Sequence, residues 1–163
     1  VALETASRHP ERVAALTLIA GAMAIPVNDA LIEMSQSAPE KAFRMMTSWG
    51  HGPGAHKFDN TQPGHAFLGY GRRVMAQNDG AALHADLVAC NSYDGGKDAA
   101  ASVTQPSLCL LAGKDKMTPV KFGRKMAEQI SGAQCHVFER AGHFLPAEFP
   151  IEVNDAMAAF LSR

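Results

Sequence analysis

The clearest indication of the fold lies in the segment Ser107-Leu-Cys-Leu-Leu-Ala-Gly-Lys-Asp-Lys-Met-Thr-Pro119. From Leu108 it is a continuous apolar run of five residues, which is typical of a strand in the interior of a parallel sheet. A Gly-Lys-Asp turn follows, and Thr118 and Pro119 favour the start of a helix as its N-cap and first residue. Apolar residues then recur every fourth position over 122–130, which predicts an amphipathic helix. The segment therefore predicts a strand, a turn and a helix.

The same alternation extends towards both ends of the chain. Residues 1–9 predict a helix, and residues 16–20 predict a short buried strand. After the central segment, residues 134–138 predict another strand, and Pro150 opens a last helix. The apolar face of that helix is predicted to carry Val153, Met157, Phe160 and Leu161. Helices that alternate with strands predict an α/β fold with about three parallel strands and flanking helices.

The middle of the chain has a different character. Residues 26–99 show no strand pattern, and short helical segments are separated by polar or glycine-rich breaks. Asn28 or Asp29 is predicted to cap the first of these helices. We therefore expect two units: a sheet core made of residues 1–25 and 100–163, and a helical insertion made of residues 26–99.

Composition excludes several classes of function. The 163 residues are 47% hydrophobic and 19% charged with a net charge of −1, so we expect a packed core and no nucleic-acid partner. No apolar run of about 18 residues is present, so we expect no membrane segment. The three cysteines are odd in number and match no zinc or Cys-x-x-Cys pattern, which favours a reducing compartment and a cytoplasmic location.

Two ionisable residues follow the predicted strands at the end where ligands bind. Asp115 lies three residues beyond the strand that ends at Ala112, and His143 lies five residues beyond Phe138. The carboxyl ends of neighbouring parallel strands meet at one edge of a sheet, so we expect these side chains to touch. A carboxylate that accepts from a histidine ring N–H fixes the tautomer of the histidine and stabilises the imidazolium. An acid and a base arranged in this way can activate a nucleophile.

Three segments together resemble a known family. Residues 106–119 resemble the acid-bearing turn of α/β-hydrolases, and Ala141-Gly-His-Phe-Leu-Pro-Ala-Glu-Phe-Pro150 resembles their histidine loop. Residues 8–18 resemble the helix end and strand that follow the nucleophile in that family. The resemblance covers the whole chain as a C-terminal half, with the helical insertion at the family's cap position. It implies that Asp115 is the triad acid, that His143 is the base, and that the order Ser…Asp…His is kept.

The resemblance also implies a reaction, but this sequence lacks one motif of the family. The family hydrolyses carboxylic esters or similar acyl bonds of small molecules, and no cofactor is needed. Its nucleophile stands in a Gly-x-Ser-x-Gly turn, yet no Ser, Cys or Asp here has glycine at both ±2 positions. We expect that turn immediately before Val1 and expect the chain alone to be nearly inactive. The alternative is a truncated, catalytically inactive hydrolase or a binding module. Other reactions of the fold also stay open, since some relatives are dehalogenases, peptidases, peroxidase-like enzymes or C–C hydrolases.

A half-sheet implies a partner. The strand over residues 16–20 normally pairs with the strand that carries the nucleophile, and an unpaired apolar edge invites another strand. We expect this edge to meet the missing N-terminal half. Two other outcomes stay open: a separate chain supplies that half, or two copies associate through the same edge.

Weaker candidates remain beside Asp115 and His143. Asp29 is a second candidate for the acid, and Glu148 is interpreted as a helix-start carboxylate. Three histidines near glycines are interpreted as part of a solvated loop or of a substrate-pocket rim, not as a metal site: His51, His56 and His65. Four aromatic residues are candidates for an acyl pocket or for packing: Trp49, Phe58, Phe67 and Tyr70. Four methionines are candidates for the core or for an apolar pocket: Met45, Met46, Met75 and Met117.

Overall fold

Three parallel strands form an open sheet at the centre of the molecule. The computed structural model describes residues 1–56 and 62–162. The strands are β1 (Leu16–Ile19), β2 (Ser107–Ala112) and β3 (Gln134–Phe138), in the spatial order β1-β2-β3. Both pairings are parallel, and Cys109 of β2 lies opposite Leu18 on one side and Cys135 on the other. The α/β class and the three parallel strands predicted from the sequence are confirmed.

Ten helices surround and extend this sheet within the described ranges. They are α1 (Ala2–Arg8), α2 (Asp29–Ser37), α3 (Pro39–Gly50), α4 (Pro53–His56), α5 (Phe67–Met75), α6 (Gly80–Ser92), α7 (Gly96–Ser102), α8 (Val120–Gln129), α9 (Leu145–Glu148) and α10 (Pro150–Leu161). A single 3-10 turn, Pro10–Arg12, connects α1 towards β1. None of the helices in these ranges has the length and apolar character needed to cross a membrane.

Strand β2 divides the core into two layers because its successive side chains point to opposite faces. All six of its residues are buried. Cys109 and Leu111 pack with Met126 of α8 on one face, together with residues of α1 and α7. Leu108 and Leu110 pack on the other face against α9 and α10. This two-sided burial explains why the run after Ser107 is apolar throughout instead of alternating.

The helical insertion has a small core of its own. Leu31, Ala42, Met46 and Leu87, from α2, α3 and α6, are buried together. Three further methionines of the sequence analysis pack against this cluster: Met45, Met75 and Met117. By contrast, Ala99 and Ala100 of α7 pack with the sheet. Buried side chains therefore pack within the helical segment up to α6 and against the sheet from α7 onwards.

Two details of the predicted helices are wrong. Helix α8 begins at Val120 with Pro119 as its N-cap residue, and no side chain caps it, so Thr118 is not the cap. Leu161 was expected on the buried face of α10 but is 61% exposed, whereas Val153 and its own neighbour Phe160 are buried. Asn28 does cap α2, where its side chain accepts from the Ala30 amide at 2.8 Å.

Candidate active site

Asp115 is held by the turn that follows β2. The turn is bonded to the loop after β3, since Gly113 N–H donates to the Phe138 carbonyl at 2.9 Å and Lys114 N–H donates to the Ala141 carbonyl at 2.8 Å. Asp115 Oδ1 accepts from the backbone N–H groups of Met117 and Thr118, each at 2.8 Å. The acid is therefore fixed by the same short turn that starts α8.

The histidine loop brings His143 onto the buried carboxylate. His143 Nδ1 lies 2.9 Å from Asp115 Oδ2, and the side chains are 27% and 1% exposed respectively. An ionised carboxylate only accepts, so Nδ1 carries the proton and Nε2 is left unprotonated in the neutral ring. The structure thus brings together the two residues that the sequence pairs. Their catalytic roles stay predictions.

The surroundings of Asp115 favour its charged form. Burial opposes ionisation, but the hydrogen bond and the charge of His143 outweigh it, and the bonds from Thr118 add to them, so the pKa of Asp115 is lowered. A carboxylate that stays ionised across the neutral range keeps its attraction for a protonated imidazole. This is the electrostatic condition that an Asp-His pair needs for proton transfer.

Glu148 is a second buried carboxylate at the site, and its interpretation as a helix-start carboxylate is wrong. It is not a helix-start residue: it ends α9, it is 3% exposed, and its two oxygens accept from backbone groups of two different segments. Oε2 accepts from Gly52 N–H at 2.8 Å, and Oε1 accepts from Gly142 N–H at 3.0 Å. Burial raises the pKa of Glu148, and the two backbone bonds oppose that rise. Glu148 therefore joins the insertion to the histidine loop.

Backbone contacts also join the insertion to the histidine loop. Phe144 N–H donates to the Gly50 carbonyl at 2.9 Å. A Cβ atom on Gly142 would lie 2.2 Å from Gly52 N, which shows how closely the two backbones approach. We call the contacts among Gly50, Gly52, Gly142, Phe144 and Glu148 the junction. The junction fixes the residue before His143, so it controls where the imidazole stands.

Replacing Glu148 with Gln tests the junction. The amide that replaces the carboxylate would turn a donor towards one of the two backbone N–H groups, leaving that buried group unsatisfied. We expect Glu148→Gln to lower the free energy of unfolding by about 1–3 kcal/mol, measured by urea denaturation. The control is Glu152→Gln on the exposed side of α10, which should change stability by less than about 0.5 kcal/mol. Equal effects of the two substitutions would contradict the role given to Glu148.

A cavity of about 400 Å³ lies between the insertion and the Asp-His pair. His143, Met117 and Thr118 line it from the sheet side. Its other walls are largely apolar and come from the insertion and the segment before it, including Val27, Leu31, Met46, Trp49, Leu83 and Leu87. A cavity of this size and polarity next to a titratable pair matches the usual form of a small-molecule site.

The remaining candidates of the sequence analysis fall into three groups. Trp49, Met46 and Met117 line the cavity, whereas Phe67 is buried and contacts the rings of His51 and His65. Tyr70 is 51% exposed, and neither Phe67 nor Tyr70 lines the cavity beside His143. Phe58 lies outside the described residues.

The three insertion histidines have structural partners. His51 Nδ1 donates to the Thr47 carbonyl at 2.8 Å, and His56 Nε2 donates to the Ser48 carbonyl at 3.0 Å. The ring of His65 packs against Phe67, with 4.7 Å between the ring centroids. Burial is the main reason why the pKa of His51 is lowered. Over residues 1–56 and 62–162 there is no group of three or more His, Cys, Asp or Glu side chains suited to hold a metal ion.

The alternative acid does not occupy the site. Asp29 is exposed in the first turn of α2, and the carboxylate that meets His143 is that of Asp115. Cys90, Cys109 and Cys135 are free thiols. Burial raises the pKa of Cys109 to about 12, so this thiol behaves as a small apolar side chain.

Known structures match this architecture closely in shape and weakly in sequence. The enol-lactonase from Burkholderia xenovorans has a TM-score of 0.87 at 18% identity, covering 99% of this chain and 61% of the other. An esterase from Exiguobacterium antarcticum has a TM-score of 0.85 at 19% identity, covering 99% and 62%. A thermophilic esterase from Thermogutta terrifontis has a TM-score of 0.82 at 21% identity, covering 99% and 60%.

These matches extend over nearly all of this chain but only about three fifths of each known protein. No protein-family profile matches the sequence, and no curated protein does. The likeness therefore concerns the fold, and the open three-stranded sheet with its flanking helices corresponds to the later part of those larger proteins. The chain has the α/β-hydrolase fold and represents its C-terminal part.

Proposed function

We propose that this chain provides the acid, Asp115, and the base, His143, of a site that hydrolyses carboxylic esters or similar acyl bonds. The observation that carries the proposal is the 2.9 Å contact between His143 Nδ1 and Asp115 Oδ2 at the carboxyl edge of neighbouring parallel strands. Esterases and a lactonase among the structural neighbours support the same kind of reaction. No cofactor has a part in the proposal.

The chemistry follows from the position of the protons. His143 holds its Nδ1 proton against Asp115, so Nε2 is the free base. In the proposed reaction Nε2 takes the proton of an attacking hydroxyl group and returns it to the leaving alcohol. Asp115 keeps the ring in this tautomer and stabilises the imidazolium that forms between the two transfers.

The nucleophile comes from outside this sequence in our proposal, because no Gly-x-Ser-x-Gly turn occurs within it. Strand β1 offers the place where that segment would attach. Among the described residues β1 pairs only with β2, so its other edge has unused backbone donors and acceptors. A strand supplied by another part of the protein would pair there and bring its hydroxyl group to the carboxyl edge. Pairing of two copies through β1 is the second arrangement.

The cavity indicates which substrates fit. Its insertion walls present the apolar side chains of Val27, Leu31, Leu83 and Leu87, so burial of an apolar acyl or alcohol group is favourable there. Asp86 and Lys116, the charged residues that line it, are both exposed. We therefore propose a small-molecule ester whose group beside the scissile bond is uncharged and apolar.

Filling the cavity tests this substrate class. Leu83 lines the cavity from α6, and a tryptophan there would occupy the space left for a long acyl chain. With the complete protein, Leu83→Trp should lower kcat/KM for p-nitrophenyl octanoate at least about tenfold relative to p-nitrophenyl acetate. The control is Val88→Trp, on an exposed part of the same helix, which should leave the ratio of the two esters unchanged. An unchanged ratio in Leu83→Trp would exclude this cavity as the acyl site.

Labelling with a fluorophosphonate tests the proposed function. The probe modifies serine only where a base and an oxyanion site activate it. We expect no labelled serine within this chain, and labelling of the Gly-x-Ser-x-Gly serine in a longer product of the same gene. A labelled serine among residues 1–163 would contradict the assignment. Absence of labelling in the longer product would favour the alternative, an inactive hydrolase fragment or binding module.

A further inference from the structure

Thr118 has a hydroxyl group that is not used for capping and that lies at the centre of the site. It is 5% exposed, and its Oγ1 has three close neighbours. These are the Ala20 carbonyl oxygen at 2.6 Å, Asp115 Oδ2 at 2.9 Å and His143 Nδ1 at 3.2 Å. The hydroxyl thus touches both members of the Asp-His pair and the end of β1. A side chain in that position acts on the pair directly.

The Thr118 hydroxyl group has more acceptors beside it than protons to donate. The Ala20 carbonyl and an ionised Asp115 only accept, and the hydroxyl has one proton to give, so it donates to one of them at a time. When it donates to Ala20, its lone pairs face His143 Nδ1, as Asp115 Oδ2 does. When it donates to Asp115, it adds to the bonds that stabilise the carboxylate. In both states the Nδ1 side of His143 meets acceptors, which favours a proton on Nδ1 and none on Nε2.

The backbone at Ala20 supports this arrangement. Ala20 has φ of +47°, and it is the one non-glycine residue with positive φ in the described part of the chain. Such a conformation is disfavoured for a residue that has a Cβ atom. It follows β1 directly, and its carbonyl oxygen meets the Thr118 hydroxyl across 98 residues of sequence. A strained turn at this point ties the end of β1 to the turn that holds Asp115.

We propose that Thr118 is a positioning residue that fixes the orientation of Asp115 and the tautomer of His143 through its hydroxyl group. Asp115 Oδ1 is already held by two backbone N–H groups, so Thr118 is the side chain that completes the partners of Oδ2 beside His143. The effect on catalysis rests on the proposed function. The effect on the Asp-His pair does not, because the pair is present in this chain.

The test compares Thr118→Val with Thr118→Ser. Valine keeps the shape of threonine and removes the hydroxyl, and serine keeps the hydroxyl. Carbon-13 NMR of the Asp115 carboxyl group should show its pKa higher in Thr118→Val than in the wild-type chain, and close to wild type in Thr118→Ser. The His143 Nδ1 proton should exchange with water at least about tenfold faster in Thr118→Val. Thr118→Ala removes the same hydroxyl and should reproduce both changes if valine is not accommodated.

An unchanged Asp115 pKa and an unchanged Nδ1 exchange rate in both Thr118→Val and Thr118→Ala would overturn the proposal. In the complete enzyme, Thr118→Val should lower kcat by about tenfold to a hundredfold with little change in KM, as expected for a misplaced base. NMR changes in a protein without esterase activity would support the positioning role and refute the proposed function. Esterase activity with no NMR change would support the proposed function and refute the positioning role of Thr118.

Discussion

Replacing His143 with alanine is expected to abolish nearly all hydrolysis by the complete protein. His143 carries the proton in both half-reactions of the proposed mechanism, and its Nδ1 contact with Asp115 is the central polar contact of the site. Removal of the base from such a triad costs on the order of 10⁴-fold or more in kcat. The measurement is the initial rate of p-nitrophenyl butyrate hydrolysis, with the folded state checked by circular dichroism.

His136→Ala is the matched control for this prediction. His136 is an exposed histidine of β3, so the same substitution is made on the same sheet away from the carboxyl edge. Its kcat should equal that of the unaltered protein. A His143→Ala variant that keeps more than about a tenth of the original kcat would show that another group acts as the base.

Gly142→Ala is expected to cause the largest loss of stability among the substitutions discussed. The new Cβ would lie 2.2 Å from Gly52 N and 2.5 Å from the His51 carbonyl carbon, and both are backbone atoms that cannot move away alone. Adding a methyl group where atoms are already in contact lowers the free energy of unfolding by about 1–3 kcal/mol, and by more where the backbone must shift. We expect the free energy of unfolding in urea to fall by about 3 kcal/mol. The His143 loop would also separate from the insertion.

Gly69→Ala provides the comparison. Gly69 lies within α5, and a Cβ there would make only an ordinary contact, 3.7 Å from the Ala66 Cβ. Alanine in a helix interior is better than glycine by about 1 kcal/mol, so this variant should be as stable as the original chain or slightly more so. If Gly142→Ala is as stable as Gly69→Ala, the two backbones at the junction do not pack as closely as described.

The sheet and the Asp-His pair could be predicted because their signals are local. The apolar run of β2 reflects burial on both faces, and the turn after it places Asp115 within three residues of the strand end. His143 follows β3 in the same way, and neighbouring parallel strands bring both loops to one edge. Local periodicity and strand order together were enough to pair two residues that are 28 positions apart.

Roles that depend on distant partners could not be predicted. Thr118 before Pro119 has the local pattern of a helix cap, but its hydroxyl meets the Ala20 carbonyl, 98 positions away. Glu148 before Pro150 has the pattern of a helix-start carboxylate, but its partner Gly52 is 96 positions away. Both side chains are buried polar groups that bond to the backbone of another segment. Gly52 and Gly142, the partners of Glu148, were the sequence signal that could have indicated this contact. A close approach of two backbones requires residues without a Cβ atom.

The proposed mechanism requires that His143 donates a hydrogen bond from Nδ1–H to Asp115 and keeps Nε2 free as a base. Nitrogen-15 NMR of the histidine rings in this chain tests it directly, since the two ring nitrogens have different shifts when protonated and unprotonated. We predict that neutral His143 is in the Nδ1–H form and that Asp115→Asn reduces this preference, because the Asn amide can donate to Nδ1. A His143 ring that is mainly in the Nε2–H form, and unaffected by Asp115→Asn, would contradict the account.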